Sequence, residues 1–233
     1  MRIAISGTSC QGKSTLIKDF LEEWTNYKPI EKTYRDVIRE QGLKHSSSTN
    51  KDTQWAILNF MIDELQKTKK SDNIIFDRCP LDNIVYSIWS EAKKDTDVDE
   101  AFIKKCMPLV RESLRSLDII FFTPISKVAP VELVDDDLRD TDKNYIEEID
   151  NIFKAVHRDF QKNPESKFFI EDDRPGIIEV FGNRKERIEI IKLYMDNDGD
   201  FIEPTGIITP EELKEMEKMK KAFGGVKYAI FQI

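Results

Sequence analysis

The chain has 233 residues, of which 39% are hydrophobic and 34% are charged, and its formal net charge is −8. This length suits one large α/β domain, or one domain with a small appendage. The negative charge argues against a general grip on nucleic-acid phosphates, and the lack of any run of about eighteen apolar residues predicts no membrane span. The three cysteines form no CxxC pair, so we expect free thiols in a reducing compartment and a cytoplasmic location.

The first predicted strand, Arg2–Ser6, leads directly into a glycine-rich motif. Residues Gly7–Ser14 read GTSCQGKS, which fits the pattern G-x-x-x-x-G-K-[ST] at every fixed position. The apolar side chains of residues 15–24 then recur at helical spacing, so the motif lies between a strand and a helix. A phosphate-binding loop requires this order of elements, and a chance match in a glycine-bearing turn is the weaker interpretation.

The residue types of this loop fit the chemistry of a nucleoside triphosphate. Glycines allow the backbone to curl so that several N–H groups face one anion, and the start of the following helix adds its positive dipole end. Lys13 can reach the β- and γ-phosphates of ATP, and the Ser14 hydroxyl can bind Mg²⁺. The predicted nucleotide-binding residues are therefore Gly7, Thr8, Ser9, Cys10, Gln11, Gly12, Lys13, Ser14 and Thr15.

A second predicted strand, Asn73–Phe76, leads into Asp77 and Arg78. Ligands of α/β sheets lie at the carboxyl ends of the strands, so Asp77 is a candidate to hold Mg²⁺ or to take a proton from an acceptor hydroxyl. The guanidinium group of Arg78 offers a planar fork for phosphate oxygens. Motor-type ATPases usually have Glu after this Asp to activate water, so Arg here favours transfer of the phosphoryl group to an organic acceptor. The alternative is an Asp that only caps the next helix.

An acidic segment precedes a predicted amphipathic helix that begins near Tyr145. Residues 135–150 hold eight acidic and two basic side chains, so six of the eight net negative charges of the chain lie here. Because the acidity is local, the net charge does not exclude DNA as a partner of the remaining surface. Within this segment we predict a lid around residues 134–145, from which Arg139 neutralises charge on the migrating phosphoryl group. A solvated run of charges is the alternative.

Two residues between the first helix and Asp77 are candidates for binding the acceptor. Arg35 lies in the charged stretch Thr33–Glu40, which is otherwise the polar face of a helix. Gln54 lies at the start of a helix that is apolar nearly all round, so its amide needs partners that a nucleobase edge or the backbone can supply. Arg35, Gln54 and Arg78 make up the predicted acceptor side.

Four stretches together resemble the P-loop nucleoside and nucleotide kinases. They are Gly7–Ser14, Asp77–Asp82, Leu138–Asp142 with the Glu148–Asp150 that follows it, and Gly182–Arg187. The resemblance is strongest to the small AAA-like kinase proteins common in bacteriophages, and it extends to the kinase domain of nicotinamide riboside kinases. In this family a loop after the last core strand lies near the adenine, which implies that Arg184 contacts the nucleotide. Relatives often have Asp-Gly before the lid arginine, where this chain has Asp-Leu.

The resemblance covers roughly residues 1–195 and implies a three-layer α/β/α fold with a mostly parallel sheet of five strands. Apolar strand candidates that alternate with helical stretches support the same α/β class. We expect a kinase domain over residues 1–195 and a C-terminal helix–strand extension over residues 196–233, which extends the sheet, packs on the core or forms a homodimer contact. The predicted strands are Arg2–Ser6, Asn73–Phe76, Leu117–Phe122 and Lys167–Ile170, with an edge strand near Pro29–Tyr34.

Other metal-binding patterns are weak. His45 and His157 stand alone, and we expect His157 to be structural or exposed. The segment Asp196–Asp200 resembles a calcium loop only superficially, because its glycine comes too early and no Glu follows at the twelfth position. We therefore predict a turn there.

These observations favour an ATP- and Mg²⁺-dependent phosphotransferase that moves the γ-phosphate to a nucleoside, a nucleotide or a nucleoside-like acceptor. Lys13, Asp77, Arg78 and Arg139 are the predicted catalytic residues, and Ser14 and Asp77 are the predicted metal ligands. One alternative keeps the kinase chemistry but takes a hydroxymethylated base within DNA as the acceptor. Another is a nucleotide-regulated ATPase or binding protein without an organic acceptor. If the chain is encoded by a phage, the expected location is the cytoplasm of the host.

Overall fold

The computed structural model describes residues 1–44, 46–126, 142–163 and 165–202. Its strands are β1 (Arg2–Ser6), β2 (Lys28–Pro29), β3 (Ile74–Asp77), β4 (Ile119–Phe122) and β5 (Gly176–Glu179). They form one parallel sheet in the order β2-β3-β1-β4-β5. This confirms the predicted α/β class with a five-stranded sheet.

Helices alternate with these strands. They are α1 (Lys13–Glu23), α2 (Tyr34–Gln41), α3 (Lys51–Lys67), α4 (Pro80–Lys93), α5 (Glu100–Leu114), α6 (Lys143–Lys162) and α7 (Arg184–Ile191). Side-chain caps start several of them, since Asn50, Asp99 and Asn183 each accept a hydrogen bond from the backbone N–H three residues later. Within the described residues, no helix is both long enough and apolar enough to cross a membrane.

The central strand β1 is buried on both faces. Its residues Ile3, Ala4 and Ile5 are 0% exposed. Ile3 and Ile5 belong to the apolar cluster that includes side chains of α1 and α7, whereas Ala4 belongs to the cluster on the other face, with side chains of α3 to α6. A continuous apolar run of this kind is typical of a parallel sheet covered on both sides, and the two clusters confirm the three-layer arrangement.

The predicted strand at Lys167–Ile170 is wrong. The fifth strand is Gly176–Glu179, which pairs with β4 at the edge of the sheet. The segment Lys167–Ile170 buries apolar surface without joining the sheet: Phe169 is 2% exposed and packs edge-on against Phe160, with 5.1 Å between the ring centroids. The apolar pattern correctly indicated that this segment is buried. Burial alone, however, does not distinguish a paired strand from a segment that packs under a helix.

The predicted edge strand is shorter than expected. β2 ends at Pro29, whose nitrogen cannot donate to a strand ladder, and Tyr34 already belongs to α2. Thr33 starts that helix, since its backbone N–H and its hydroxyl donate to the Asp36 carboxylate at 2.8 and 2.9 Å. This capping interaction turns the chain into a helix before the strand can lengthen.

The segment Asp196–Asp200 forms the predicted turn, in which the first carboxylate accepts from two backbone N–H groups at 3.0 and 2.9 Å. The turn packs beyond the end of α1, where the side chains of Trp24 and Tyr27 each donate at 2.7 Å to one of its carbonyl groups. Most of the predicted C-terminal extension, residues 203–233, lies outside the described residues. The domain boundary at residue 195 stays a prediction.

His157 has a structural position, as expected. It is 7% exposed, and its Nδ1 atom lies 2.7 Å from Oε1 of Glu179 at the end of β5. His45 lies outside the described residues. Within the described part of the chain, no group of three or more His, Cys, Asp or Glu side chains is arranged to hold a metal ion.

Candidate active site

The loop between β1 and α1 has the curled shape that phosphate binding needs. Its backbone φ is +133° at Gly7, +59° at Cys10 and +68° at Gly12. A Cβ atom at Gly7 would lie 2.7 Å from the carbonyl oxygen of Thr123, which follows β4. Glycine is therefore required at this position both by the backbone conformation and by the close approach of the two segments.

The start of α1 is open to an anion. Gly12 immediately precedes the helix, no side chain caps it, and the first turn contains no acidic residue. Ser14 is half-buried and Thr15 is exposed in this same turn. The first N–H groups of the helix and its positive dipole end are therefore available to a ligand such as a phosphate group.

Lys13 is a buried cation in the same loop. Its side chain is 7% exposed, and its ammonium group donates a hydrogen bond to the Thr8 carbonyl. Burial lowers the pKa of Lys13 well below its ordinary value, and the charge of Arg78 lowers it further. Asp77 and Asp82 act in the opposite direction on this pKa, but more weakly than burial. A bound phosphate group would supply a negative charge that compensates the positive charge of the buried ammonium.

Asp77 ends β3 at the carboxyl edge of the sheet, where its register partner in β1 is Ile5. Its charge acts on Lys13, Arg35 and Arg78, although no group in the described residues forms a hydrogen bond or an ion pair with it. The residue is half-buried. A carboxylate that is not committed to a protein partner can accept a proton from a substrate or bind a cation.

Arg78 is buried and held from several sides. It takes a φ of +76°, and its side chain is 6% exposed. Nη1 donates to the Gly7 carbonyl at 2.9 Å and to Asp82 Oδ1 at 2.8 Å, while Nη2 donates to the Tyr86 hydroxyl at 3.2 Å. The guanidinium carbon lies 5.2 and 5.1 Å from the ring centroids of Tyr34 and Tyr86. Arg78 thus ties the first residue of the phosphate loop to α4 and to two aromatic rings.

The carboxylate of Asp82 joins the same elements and is 1% exposed. Oδ2 accepts from the Ser6 hydroxyl at 2.8 Å and from the Cys79 N–H at 3.0 Å. Oδ1 accepts from Arg78 and, at 3.3 Å, from the Gly7 N–H. Asp82 could not be predicted as a site residue from the sequence, because these contacts exist only once β1 and β3 are paired.

Arg35 contributes a cation near Asp77. Its Nε atom donates to the Tyr34 hydroxyl at 3.3 Å, and its guanidinium carbon lies 5.6 Å from the centroid of that ring. Its two Nη atoms have no hydrogen-bond partner among the described residues. The end of this half-buried side chain is therefore available to an anionic group of a ligand.

Gln54 is buried where α3 faces α4 and is 5% exposed. Its Nε2 atom donates to Thr49 Oγ1 at 2.9 Å, and its Oε1 atom accepts from Asn83 Nδ2 at 2.7 Å. Asn83 Oδ1 is buried and has no hydrogen-bond partner within the described residues. Asn83 Oδ1 is therefore an acceptor that no described residue uses. A buried carbonyl oxygen without a hydrogen bond costs free energy, so a ligand that donates a hydrogen bond to it would be favoured.

The two arginines of α7 have different surroundings. Arg184 is 71% exposed and binds the carboxylate of Asp19 in α1, with N–O distances of 3.0 and 2.5 Å. Arg187 is 5% exposed, and it donates from Nη1 to the Gln11 carbonyl at 2.6 Å and from Nε to the Gly182 carbonyl at 2.9 Å. Arg184 was the predicted nucleotide contact in this family-like stretch, whereas Arg187, three residues later, was not predicted.

The phosphate loop also contacts the start of α6, the helix that follows the predicted lid. Thr8 Oγ1 donates to the Ile146 carbonyl at 3.0 Å. The neighbouring Ser9 hydroxyl is buried and has no hydrogen-bond partner in the described part of the chain. Arg139 belongs to residues 127–141, which lie outside the described residues, so its role stays a prediction.

Comparison with known proteins agrees with this architecture. A family model described as an AAA domain matches residues 2–164, whereas no curated protein sequence matches the chain. The structure of deoxyadenosine kinase from M. mycoides superposes with a TM-score of 0.60 at 20% identity, covering 83% of this chain and 97% of that one. Thymidylate kinase from Candida albicans gives a TM-score of 0.53 at 17% identity, covering 87% and 95%.

The NadR protein is a third structural neighbour, with a TM-score of 0.57 at 16% identity. The match covers 88% of this chain but 53% of that protein, so the chain spans about half the length of NadR. At these identities the likeness to solved structures shows a shared fold. The family match over residues 2–164 shows that the chain belongs to the AAA domain family.

Proposed function

We propose that the protein is an ATP-dependent phosphotransferase that moves the γ-phosphate to a nucleoside, a nucleotide or a nucleoside-like acceptor. One observation carries this proposal: the buried Lys13 lies in a curled loop at an open helix N-terminus, near the carboxylate of Asp77, which forms no hydrogen bond or ion pair with the residues that the structure describes. The loop and the lysine favour a polyanion, and the carboxylate supplies a base or a cation ligand at the same edge of the sheet.

On the donor side, the residues Gly7–Thr15 bind the phosphates of ATP through backbone N–H groups. Lys13 exchanges its hydrogen bond to the Thr8 carbonyl for the β- and γ-phosphate oxygens, which favour its charged form. Arg184 could reach a nucleotide only by leaving its ion pair with Asp19. Arg139 retains its predicted part in neutralising the migrating phosphoryl group.

The oxygen donors at the site fit Mg²⁺. The Ser14 hydroxyl and the Asp77 carboxylate are hard ligands, and both residues lie beside the loop that receives the phosphates. Mg²⁺ usually binds through one or two protein oxygens together with substrate phosphates, so two such residues suffice. The ion would neutralise charge on the β- and γ-phosphates.

The transfer step balances with groups at the site. An acceptor oxygen forms a bond to the γ-phosphorus, the bond between that phosphorus and the β–γ bridging oxygen breaks, and ADP leaves with the electron pair. When the acceptor is a hydroxyl group, Asp77 takes its proton. When the acceptor is already a phosphate, no proton transfer is needed, and Asp77 would serve as a ligand of Mg²⁺.

The acceptor side has one charged and one amide-lined part. The Nη atoms of Arg35, which have no hydrogen-bond partner in the described part of the chain, suit a phosphate or another anionic group. Gln54 and Asn83 offer amide groups to a nucleobase edge. The structural neighbours support acceptors of this class: the deoxyadenosine kinase was crystallised with dCMP and dCDP, and another neighbour is a thymidylate kinase.

A panel assay tests the proposal. Labelled ATP and Mg²⁺ are incubated with nucleosides, nucleoside monophosphates, nicotinamide riboside and duplex DNA that contains hydroxymethylated bases. We expect label on at least one free nucleoside or nucleotide. Lys13→Ala should abolish this transfer, whereas Lys18→Ala, which removes an exposed lysine of the same helix, should leave it intact.

Three other outcomes would contradict the proposal. Label on the polymer alone would favour the DNA-base kinase, and release of labelled phosphate without an organic product would favour an ATPase. Transfer by Lys13→Ala at the rate of the parent protein would remove the phosphate loop from the mechanism. Arg35→Gln adds information on the acceptor: it should raise KM for a monophosphate acceptor more than for the matching nucleoside.

A further inference from the structure

We propose that Arg187 is a positioning residue for the phosphates of ATP, because it holds the Gln11–Gly12 peptide with its N–H directed away from α7 and toward the ligand. The inference rests on the proposed nucleotide function and deepens it. No contact between Arg187 and the nucleotide is required, since the residue acts through the phosphate loop.

The side chain of Arg187 contacts two loops, which is the first observation in support of the inference. Gln11 and Arg187 are 176 positions apart in sequence, yet Nη1 of Arg187 lies 2.6 Å from the Gln11 carbonyl oxygen. Nε of the same guanidinium lies 2.9 Å from the carbonyl oxygen of Gly182. The planar group therefore fixes the phosphate loop against the turn between β5 and α7.

The second support is the geometry of a peptide bond. In a trans peptide the C=O and the following N–H point in opposite directions, and the described residues contain no cis peptide bond. A hydrogen bond that holds the Gln11 carbonyl toward α7 therefore turns the Gly12 N–H the other way. If the peptide were free to flip, the carbonyl oxygen would face the phosphates and repel them.

The third support is charge. Arg187 is 5% exposed, and among the described residues it has no carboxylate at ion-pair distance. Asp19, whose charge raises the pKa of Arg187, is already bound by Arg184. Burial lowers the pKa of Arg187, which shows that its charge is costly in the free protein. A bound polyanion nearby would compensate this cation.

The turn that Arg187 contacts is itself held by hydrogen bonds. Gly182 has a φ of +96°, and a Cβ atom there would lie 2.6 Å from Oε2 of Glu186. The same carboxylate accepts from the Asn183 N–H at 2.7 Å, and the Asn183 side chain accepts from the Glu186 N–H at 3.0 Å. Arg187 thus connects this hydrogen-bonded turn to the phosphate loop.

The test compares three variants in one helix. Arg187→Met removes the charge and both hydrogen bonds, Arg187→Lys keeps the charge but lacks the planar fork, and Lys185→Met is the matched control at an exposed position. The dissociation constant of ATP with Mg²⁺ is measured by calorimetry on each protein. We expect Arg187→Met to bind ATP roughly 10- to 100-fold more weakly, Arg187→Lys to lie between it and the parent, and Lys185→Met to stay within about twofold.

A purely structural role predicts a different result. In that case Arg187→Met would lower the unfolding temperature of the free protein, but ATP would still bind with the affinity of the parent, and the inference would be overturned. If Arg187→Met does not fold, Arg187→Lys decides alone: equal ATP affinity in parent and variant overturns the inference. A parent protein that does not bind ATP would overturn the proposed function and this inference together, whereas equal binding by parent and variants overturns only the inference.

Discussion

Arg78 and Asp82 form a buried ion pair directly behind the phosphate loop, with 2.8 Å between Nη1 and Oδ1. Their side chains are 6% and 1% exposed, so water screens the pair very little. The same two groups bind both backbone atoms of Gly7, through its carbonyl and its N–H. The pair therefore holds the first residue of the phosphate loop through both of its backbone polar groups.

Loss of the Asp82 carboxylate should destabilise the protein strongly. Asp82→Ala leaves Arg78 as an unpaired buried charge and removes the acceptor for Ser6 and Cys79. We expect the free energy of unfolding to fall by about 3–5 kcal/mol in urea denaturation. Asp95→Ala, at an exposed position, should change it by less than about 0.5 kcal/mol. A similar small effect for both variants would show that the pair does not support the fold.

Replacement of Lys13 should raise the stability of the free protein and weaken its binding of ATP. Because burial holds the pKa of this ammonium well below its ordinary value, the free protein bears the cost of a poorly solvated charge. Lys13→Met should therefore stabilise the free protein by roughly 1–3 kcal/mol and lose the rise in unfolding temperature that ATP causes in the parent. Lys18→Met serves as the control. A less stable Lys13→Met protein would contradict this account of the buried charge.

Binding of ATP should take up protons in a range set by Lys13. The pKa of Lys13 is lowered in the free protein, and phosphate oxygens raise it in the complex. Between these two pKa values, the free protein holds fewer protons than the complex, so affinity for ATP falls as the pH rises through this range. Calorimetry in two buffers of different ionisation enthalpy measures the uptake. Proton uptake that persists in Lys13→Met would assign the linkage to another group.

Asp77→Asn should affect the reaction and leave the fold unchanged. The carboxylate has no hydrogen bond or ion pair with any described residue, so its removal leaves no buried partner unsatisfied. With a hydroxyl acceptor, we expect kcat to fall by about 10²- to 10⁴-fold, while the unfolding temperature stays within about 2 °C. A titration with Mg²⁺ distinguishes the two roles: an unchanged dependence on Mg²⁺ favours the base, and a weakened one favours the metal ligand.

Two of the three free thiols should react slowly in the folded protein. Burial raises the pKa of Cys106 to about 11 and raises that of Cys79 well above its ordinary value. At pH 8 both remain protonated, so labelling with a thiol reagent should be slow in the native protein and complete in denaturant. Fast labelling of Cys79 or Cys106 in the native protein, located by peptide mapping, would contradict the burial of these side chains.

Local patterns predicted the glycine-rich loop and its flanking elements well. The motif Gly7–Ser14, the strand before it and the helix after it depend on residues adjacent in sequence, and all three take the predicted form. Asp77 was located by a short apolar run, which the parallel register of β3 confirmed as a strand end. The kinase-like fold follows from the same alternation of short apolar runs and amphipathic helices.

Long-range contacts could not be predicted in the same way. The contacts of Asp82 reach Ser6 across 76 positions, and those of Arg187 reach Gln11 across 176, so neither leaves a periodic signal. The prediction of a strand at Lys167–Ile170 was wrong for a related reason, since Phe169 is buried by helix packing and not by strand pairing. Sequence pattern identifies which residues are buried, and only the topology identifies what they meet.

The central place of β1 has a consequence for how the protein folds. This strand comprises residues 2–6, but its two neighbours begin only at Ile74 and Ile119, so the sheet is built from contacts of long sequence separation. Proteins of this kind fold slowly, since chain entropy is lost before the pairing is formed. The phosphate loop also depends on a contact with Arg187, which lies 176 positions after Gln11 in the chain. If the protein binds ATP as proposed, this binding should therefore not appear in refolding before Arg187 contacts Gln11, so the nucleotide would report that this long-range contact has formed.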